Sequence, residues 1–151
     1  DFLSELGLVS YTMTTGSKGF HVVVPLDRSQ DFEIVRDFAR DVAAIMAARH
    51  PDQLTTEQRK AKRGQRIYLD TLRNSYAHTA VAPYSVRARP GAPVATPVTW
   101  DALEHGELHP QAYTVRNVFD YLAQHGNPWQ GMARHARSLK VARLRLDALQ
   151  Q

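Results

Sequence analysis

The sequence predicts an α+β fold, a mixed or antiparallel sheet flanked by helices. Three observations carry the prediction. Short runs of β-branched and aromatic residues bounded by turn formers recur at Val9–Met13, Phe20–Leu26, Arg66–Asp70 and Ala80–Arg87, which is how strands read. Longer stretches at residues 32–50 and 133–151 repeat their apolar residues every three or four positions, as one face of a helix does. At 151 residues, 43% hydrophobic and 23% charged, the chain has the size and composition of one globular domain.

The elements follow in order. Val9–Met13 and Phe20–Leu26 form a β-hairpin, with Thr14, Thr15, Gly16, Ser17, Lys18 and Gly19 supplying its turn. Asp27 to Asp31 offers turn and N-cap residues. The helix from Phe32 to His50 places Ile34, Phe38, Val42 and Ile45 in one apolar stripe and stops at Pro51. Leu54 to Lys60 reads as either a short helix or a structured loop. Arg66–Asp70 and Ala80–Arg87 are two further strands, the second confined to an edge or a bulge by Pro83. Pro90 to Pro97 is rich in Pro, Gly and Ala and predicts an extended connector. Thr99 is the N-cap of a short helix starting at Trp100. Val115 to Gln124 sets Val118, Phe119 and Leu122 at helical spacing, and the tail from Ala133 to Gln151 is a basic helix or linker with Leu139, Ala142, Leu146 and Leu149 on one side.

Composition excludes several classes. There are no cysteines, which rules out a disulfide scaffold, a thiolate metal site and a cysteine nucleophile, and fits a reducing, cytoplasmic setting. No apolar run approaches the ~18 residues of a membrane span. The 19 Lys+Arg against 15 Asp+Glu leave a net charge of +4, and its location matters more than its size. Between Glu57 and Pro90 lie Arg59, Lys60, Lys62, Arg63, Arg66, Arg73, Arg87 and Arg89 against Glu57 and Asp70, a net of +6, while the remainder is slightly acidic. That is the electrostatic footprint of a polyphosphate or nucleic-acid partner, or else a solvated basic loop.

Two features bear chemistry. The Thr14–Gly19 turn combines hydroxyls, glycines and Lys18, a set that suits phosphate oxygens. It is not a P-loop, because it joins strand to strand, and it also reads as an ordinary hairpin turn. His21 follows on the strand, as a ligand or as a hydrogen-bonded rim residue. Asp70 lies at the end of a strand, on the face opposite Ile67 and Leu69. A carboxylate there can ligate a divalent cation, or it can open a turn into Asn74. His105 and His109 do not make a zinc site, since Gly106 and Pro110 break the helix that would align them.

Together, Thr15 to Leu26, Leu54 to Arg63, Arg66 to Asn74 and Thr79 to Pro97 resemble, in order and spacing, the polymerase domain of bacterial ligase D, a branch of the archaeo-eukaryotic primase superfamily. The resemblance spans about Leu3 to Met132. It implies a primase-polymerase-like core and a nucleotidyltransferase that uses Mn²⁺ or Mg²⁺ to add nucleotides, preferentially ribonucleotides, to a primer 3′ end in non-homologous end joining. It implies Asp70 as a metal-binding, catalytic carboxylate. Thr15, Ser17, Lys18, His21 and Arg87 match the positions that hold the incoming NTP or dNTP, with Arg63 and Arg73 as further phosphate or DNA contacts. The implied partners are primer-template or broken-end DNA, ligase or nuclease domains on a longer chain, and the Ku end-binding protein, in the bacterial cytoplasm and at the nucleoid during repair.

The family also carries an Asp-x-Asp pair on a strand before the Thr15 loop, and residues 1–13 hold none. Asp31-Phe-Glu33 has the spacing but stands after His21 at a helix start. The expectation is therefore that residues 1–132 are the C-terminal portion of such a domain, cut from a longer chain and inactive alone, and that 133–151 are a helix or linker. The alternative is a non-catalytic nucleotide- or nucleic-acid-binding module of the same fold.

Overall fold

The computed structural model describes residues 2–105 and 107–149. Asp1, Gly106 and residues 150–151 lie outside the described residues, and with them the readings placed on the first residue, on Gly106 as a helix breaker and on the end of the tail helix. The chain divides into two compact units, each assembled from two stretches of sequence: Asp1–Leu26 with Val81–Arg137, and Asp27–Ala80 with Ser138–Gln151.

The first unit opens with a short helix, α1 (Phe2–Glu5), and is built on the expected hairpin. β1 (Tyr11–Thr14) and β2 (Phe20–Val23) pair antiparallel, with Tyr11 opposite Val23 and Thr14 opposite Phe20. β5 (Pro97–Val98) pairs antiparallel with the other edge of β1, so the sheet order is β2-β1-β5. Because β1 is central, Thr12, Met13 and Thr14 are all buried. Buried hydroxyls need partners. Thr12 Oγ1 donates to the Val98 carbonyl at 2.9 Å, and the Thr14 hydroxyl accepts from the Thr96 amide at 3.0 Å.

Two expectations change here. The strand over Ala80–Arg87 does not form: Pro83 and Tyr84 make a turn, Tyr84 has φ +63°, and only Val86 bridges to Val94. Proline lacks the ladder donor, and a left-handed tyrosine cannot continue a strand. The Pro/Gly/Ala connector in turn ends in the most protected part of the unit, with residues 93–98 buried throughout. Pro93 and Pro97 bring no amide hydrogen that burial would leave unpaired. The amides of Val94, Ala95 and Thr96 donate to the Tyr113 carbonyl, the Ser85 carbonyl and the Thr14 hydroxyl.

Helices and indoles close this unit. α4 (Trp100–Glu104) is capped as expected, Thr99 Oγ1 accepting from the Ala102 amide at 3.2 Å. α5 (Val118–His125) begins later than its apolar spacing suggests, because Asn117 Oδ1 accepts from the Thr114 amide at 2.7 Å and holds a turn there. The Trp100 and Trp129 indoles donate to the carbonyls of Ser10 and Thr12 at 3.1 and 2.9 Å.

The second unit packs α2 (Phe32–Arg49) with α6 (Leu139–Ala148), burying Phe38 and Ala43 from one and Leu139, Ala142 and Leu146 from the other. Ile34 is 46% exposed, so the stripe on α2 is narrower than its sequence spacing. α6 starts at Leu139, where the Ser138 hydroxyl accepts from the Lys140 amide, and the preceding Met132–His135 forms a 3-10 helix in the first unit. Leu54 to Lys60 resolves into strand and loop: β3 (Leu54–Thr55) pairs parallel with β4 (Ile67–Tyr68), and α3 (Lys60–Arg63) lies between them. Among the described residues, no helix is long and apolar enough to cross a membrane.

Candidate nucleotide and nucleic-acid interface

In the first unit the reversal between β1 and β2 is organised by Thr15. Its hydroxyl donates to the Gly19 carbonyl at 2.7 Å and accepts from the Ser17 and Gly19 amides at 3.2 and 3.3 Å. Those two amides are therefore committed inside the loop and are not offered to a phosphate. Gly16 has φ +61° and lies against Arg87: a Cβ placed on it would stand 2.7 Å from Arg87 Cγ and 3.3 Å from the Val94–Ala95 backbone. Only glycine combines that dihedral with that approach. Gly16 thus sets the Arg87 stem directly on the loop. Lys18 is exposed at the tip, and His21 is half-buried on β2 opposite Met13.

Gln111 belongs to this loop although nothing in the sequence around it points there. Its Nε2 donates to the Ser17 carbonyl at 2.8 Å and fastens the tip from 94 positions away in the chain. A contact of that range leaves no local signal.

In the second unit Asp70 is exposed, just beyond the end of β4, and its Oδ1 accepts from the Leu72 amide at 3.0 Å. This is the turn-opening geometry, and it uses only part of the carboxylate's acceptor capacity. Arg73 is exposed on the same turn. Arg63 is differently placed: Nε and Nη2 donate to the Glu57 and Gln58 carbonyls at 2.8 and 2.7 Å, and the guanidinium lies 3.8 Å from the centre of the Tyr68 ring. Burial foremost, and then the Asp70 carboxylate, push the Tyr68 phenol above its ordinary pKa, against the opposing pull of Arg63. The ring is therefore a neutral stacking partner.

The fold thus brings Thr15, Ser17, Lys18, His21 and Arg87 into the first unit, and Arg63, Asp70 and Arg73 into the second. Asp70 offers oxygen donors suited to Mg²⁺ or Mn²⁺. Such an ion takes several ligands, and the described residues contain no group of three or more His, Cys, Asp or Glu side chains that could hold one. The residues present do not by themselves complete a metal centre.

An antiparallel sheet, a hydroxyl- and lysine-bearing reversal set against an arginine, and a separate basic segment beside an exposed carboxylate define a protein suited to handling phosphate groups. Comparison with known proteins makes the class specific. The family model described as LigD, primase-polymerase domain, matches residues 1–129, and the chain belongs to that family. It is 40% identical over 102 residues to the multifunctional non-homologous end joining protein LigD of Pseudomonas aeruginosa, covering 68% of this chain and 12% of that one. It is 30% identical over 128 residues to the bifunctional LigD of Bacillus subtilis, covering 84% and 21%. In structure it is similar to the polymerase domain of Mycobacterium tuberculosis ligase D, solved in complex with DNA, with a TM-score of 0.82 at 32% identity, over 90% of this chain and 47% of that domain. The chain therefore spans about a fifth or less of these curated relatives and about half of the solved domain.

Proposed function

We propose that this chain forms the triphosphate-binding side of a LigD-type polymerase, which extends a primer 3′ end with nucleotides, preferentially ribonucleotides, during the joining of broken DNA ends. The family match over residues 1–129 carries this reading, and the DNA complex of the M. tuberculosis neighbour supports DNA as a partner.

In this reading Lys18 and Arg87 neutralise the triphosphate of an NTP or dNTP, while Ser17 and His21 offer hydrogen-bond donors to its oxygens. Thr15 and Gly16 act by shaping the loop that holds them. Attack of the primer 3′-oxygen on the α-phosphorus, with the hydroxyl proton passing to solvent, breaks the bond from the α-phosphorus to the oxygen it shares with the β-phosphorus and releases pyrophosphate. Lys18 and Arg87 hold the charge that develops on the departing phosphates. Bound Mn²⁺ or Mg²⁺ would activate the attacking hydroxyl and stabilise the leaving group. Asp70 is the residue of this chain that would contribute an oxygen to it. Arg73, and the remaining Nη1 of Arg63, are further phosphate contacts.

Joined to the rest of a LigD polymerase domain, the chain should support manganese-dependent ribonucleotide addition to a labelled primer, and Asp70→Ala should abolish it. The chain by itself should give no extension, since its described residues hold no complete set of metal ligands. Full activity in the Asp70 variant would overturn the metal assignment. The second reading is a non-catalytic nucleotide- or nucleic-acid-binding module of the same fold. Failure of the completed domain to extend a primer, with binding retained, would select it.

A further inference from the structure

Between β3 and β4 the chain carries five cations, Arg59, Lys60, Lys62, Arg63 and Arg66, and the structure gives them different tasks. Two of them build. Arg63 forks onto the Glu57 and Gln58 carbonyls, as described. Arg66 does the same at the end of α3, its Nε and Nη2 donating to the Arg63 and Lys62 carbonyls at 3.0 and 2.9 Å. These forks tie the loop carbonyls of Glu57 and Gln58 and the last carbonyls of the single-turn helix to side chains of the same segment. They also fold residues 55–66 around an open cleft of about 670 Å³, lined by the segment Thr55–Arg59 together with Lys62 and Arg66.

The side chains left facing that cleft decide what it can bind. Arg59 and Lys62 are exposed on its rim with Thr56. The carboxylate in the lining, Glu57, is turned onto the backbone, where Oε1 accepts from the Arg59 amide at 2.8 Å. The lining is mostly polar and carries three cations against one anion. Small-molecule sites are enclosed and largely apolar. An open polar trough edged by flexible cations instead suits the backbone of a charged polymer that enters and leaves it.

We propose that Arg59, Lys62 and Thr56 form a phosphodiester-binding subsite for a single DNA strand, with Arg63 and Arg66 as its positioning residues. The subsite deepens the polymerase reading and rests on it for the identity of the strand. Its residues belong to the second unit, whereas those of the triphosphate loop belong to the first.

The test titrates a labelled oligothymidylate against the full chain by fluorescence anisotropy as a function of salt, with ATP binding measured in parallel. Arg59→Ala combined with Lys62→Ala should lower DNA affinity and flatten the log–log salt slope by about 1.4, ~0.7 for each lost phosphate contact. The deficit against the parent chain should then shrink roughly sevenfold between about 50 and 200 mM salt. ATP binding and the melting temperature should be unchanged, and the exchange Arg59→Lys with Lys62→Arg should restore the slope. Parent-like DNA binding in the alanine variant would overturn the subsite and leave the polymerase reading standing. Equal losses for ATP and DNA would assign these cations to the triphosphate and overturn the strand assignment. A parent chain that binds no oligonucleotide would overturn both the subsite and the DNA part of the function.

Discussion

Gly16 and Arg87 show how a single residue can place a functional side chain. The left-handed backbone at Gly16 costs any other residue roughly 1–2 kcal/mol. A methyl group there would also meet the Arg87 stem and the backbone of the buried Val94–Ala95 segment. The backbone cannot retreat, so the arginine must. Gly16→Ala should lower the melting temperature by about 2–4 °C for each kcal/mol lost, and should weaken ATP binding because Arg87 is displaced from the loop. A variant that melts lower yet binds ATP as the parent does would show that Arg87 is not part of the triphosphate site. The glycines of the turn were legible in the sequence as turn formers, but the partner that makes Gly16 irreplaceable was not, because Arg87 stands 71 positions away.

Among the elements, α2 and α6 are joined by more than their apolar faces. Arg143 donates to Asp41 of α2 at 2.6 Å and to Asp147 of its own helix at 2.6–2.7 Å. The two carboxylates raise the Arg143 pKa further, first through the hydrogen bond to Asp147. The group is half-buried, so its worth lies between that of an exposed pair and a buried one, about 1–2 kcal/mol. Arg143→Ala should destabilise the chain by about that amount, and high salt should narrow the gap between variant and parent. Arg143→Met retains the stem that packs between the helices, and should recover part of the loss in thermal melts. Periodicity predicted both helices, since their apolar spacing is a local property. It could not predict the clamp, nor that Ile34 and Leu149 would face outward, because both depend on which face the partner helix covers.

Across the whole molecule, each unit is closed by chain that returns from far along the sequence. The second unit draws Leu139, Ala142 and Leu146 from the C-terminal segment into its interior. Ending the chain at Arg137 should therefore strip protection from the amides of α2 while leaving those of β1 and β2 protected, as peptide-level hydrogen exchange would read. Loss of protection throughout would show that the units fold as one. The sequence by itself determined the hairpin, the two long helices, the cap at Thr99, the basic segment and the family, because each is written in neighbouring residues or in short motifs in series; the start of the last helix at Ser138, later than its apolar spacing suggests, was decided by the structure. The tertiary structure alone decided that the proline-rich run would be buried from Pro93 onward and that Ala80–Arg87 would turn rather than extend. It also decided that Thr15 would close the loop that Gln111 fastens, and that Arg63 and Arg66 would build a cleft whose rim belongs to Arg59 and Lys62. The physical reason is the same in each case. Where a backbone donor or a guanidinium finds its partner depends on what folding brings within about 3 Å of it, and that partner is often distant in sequence.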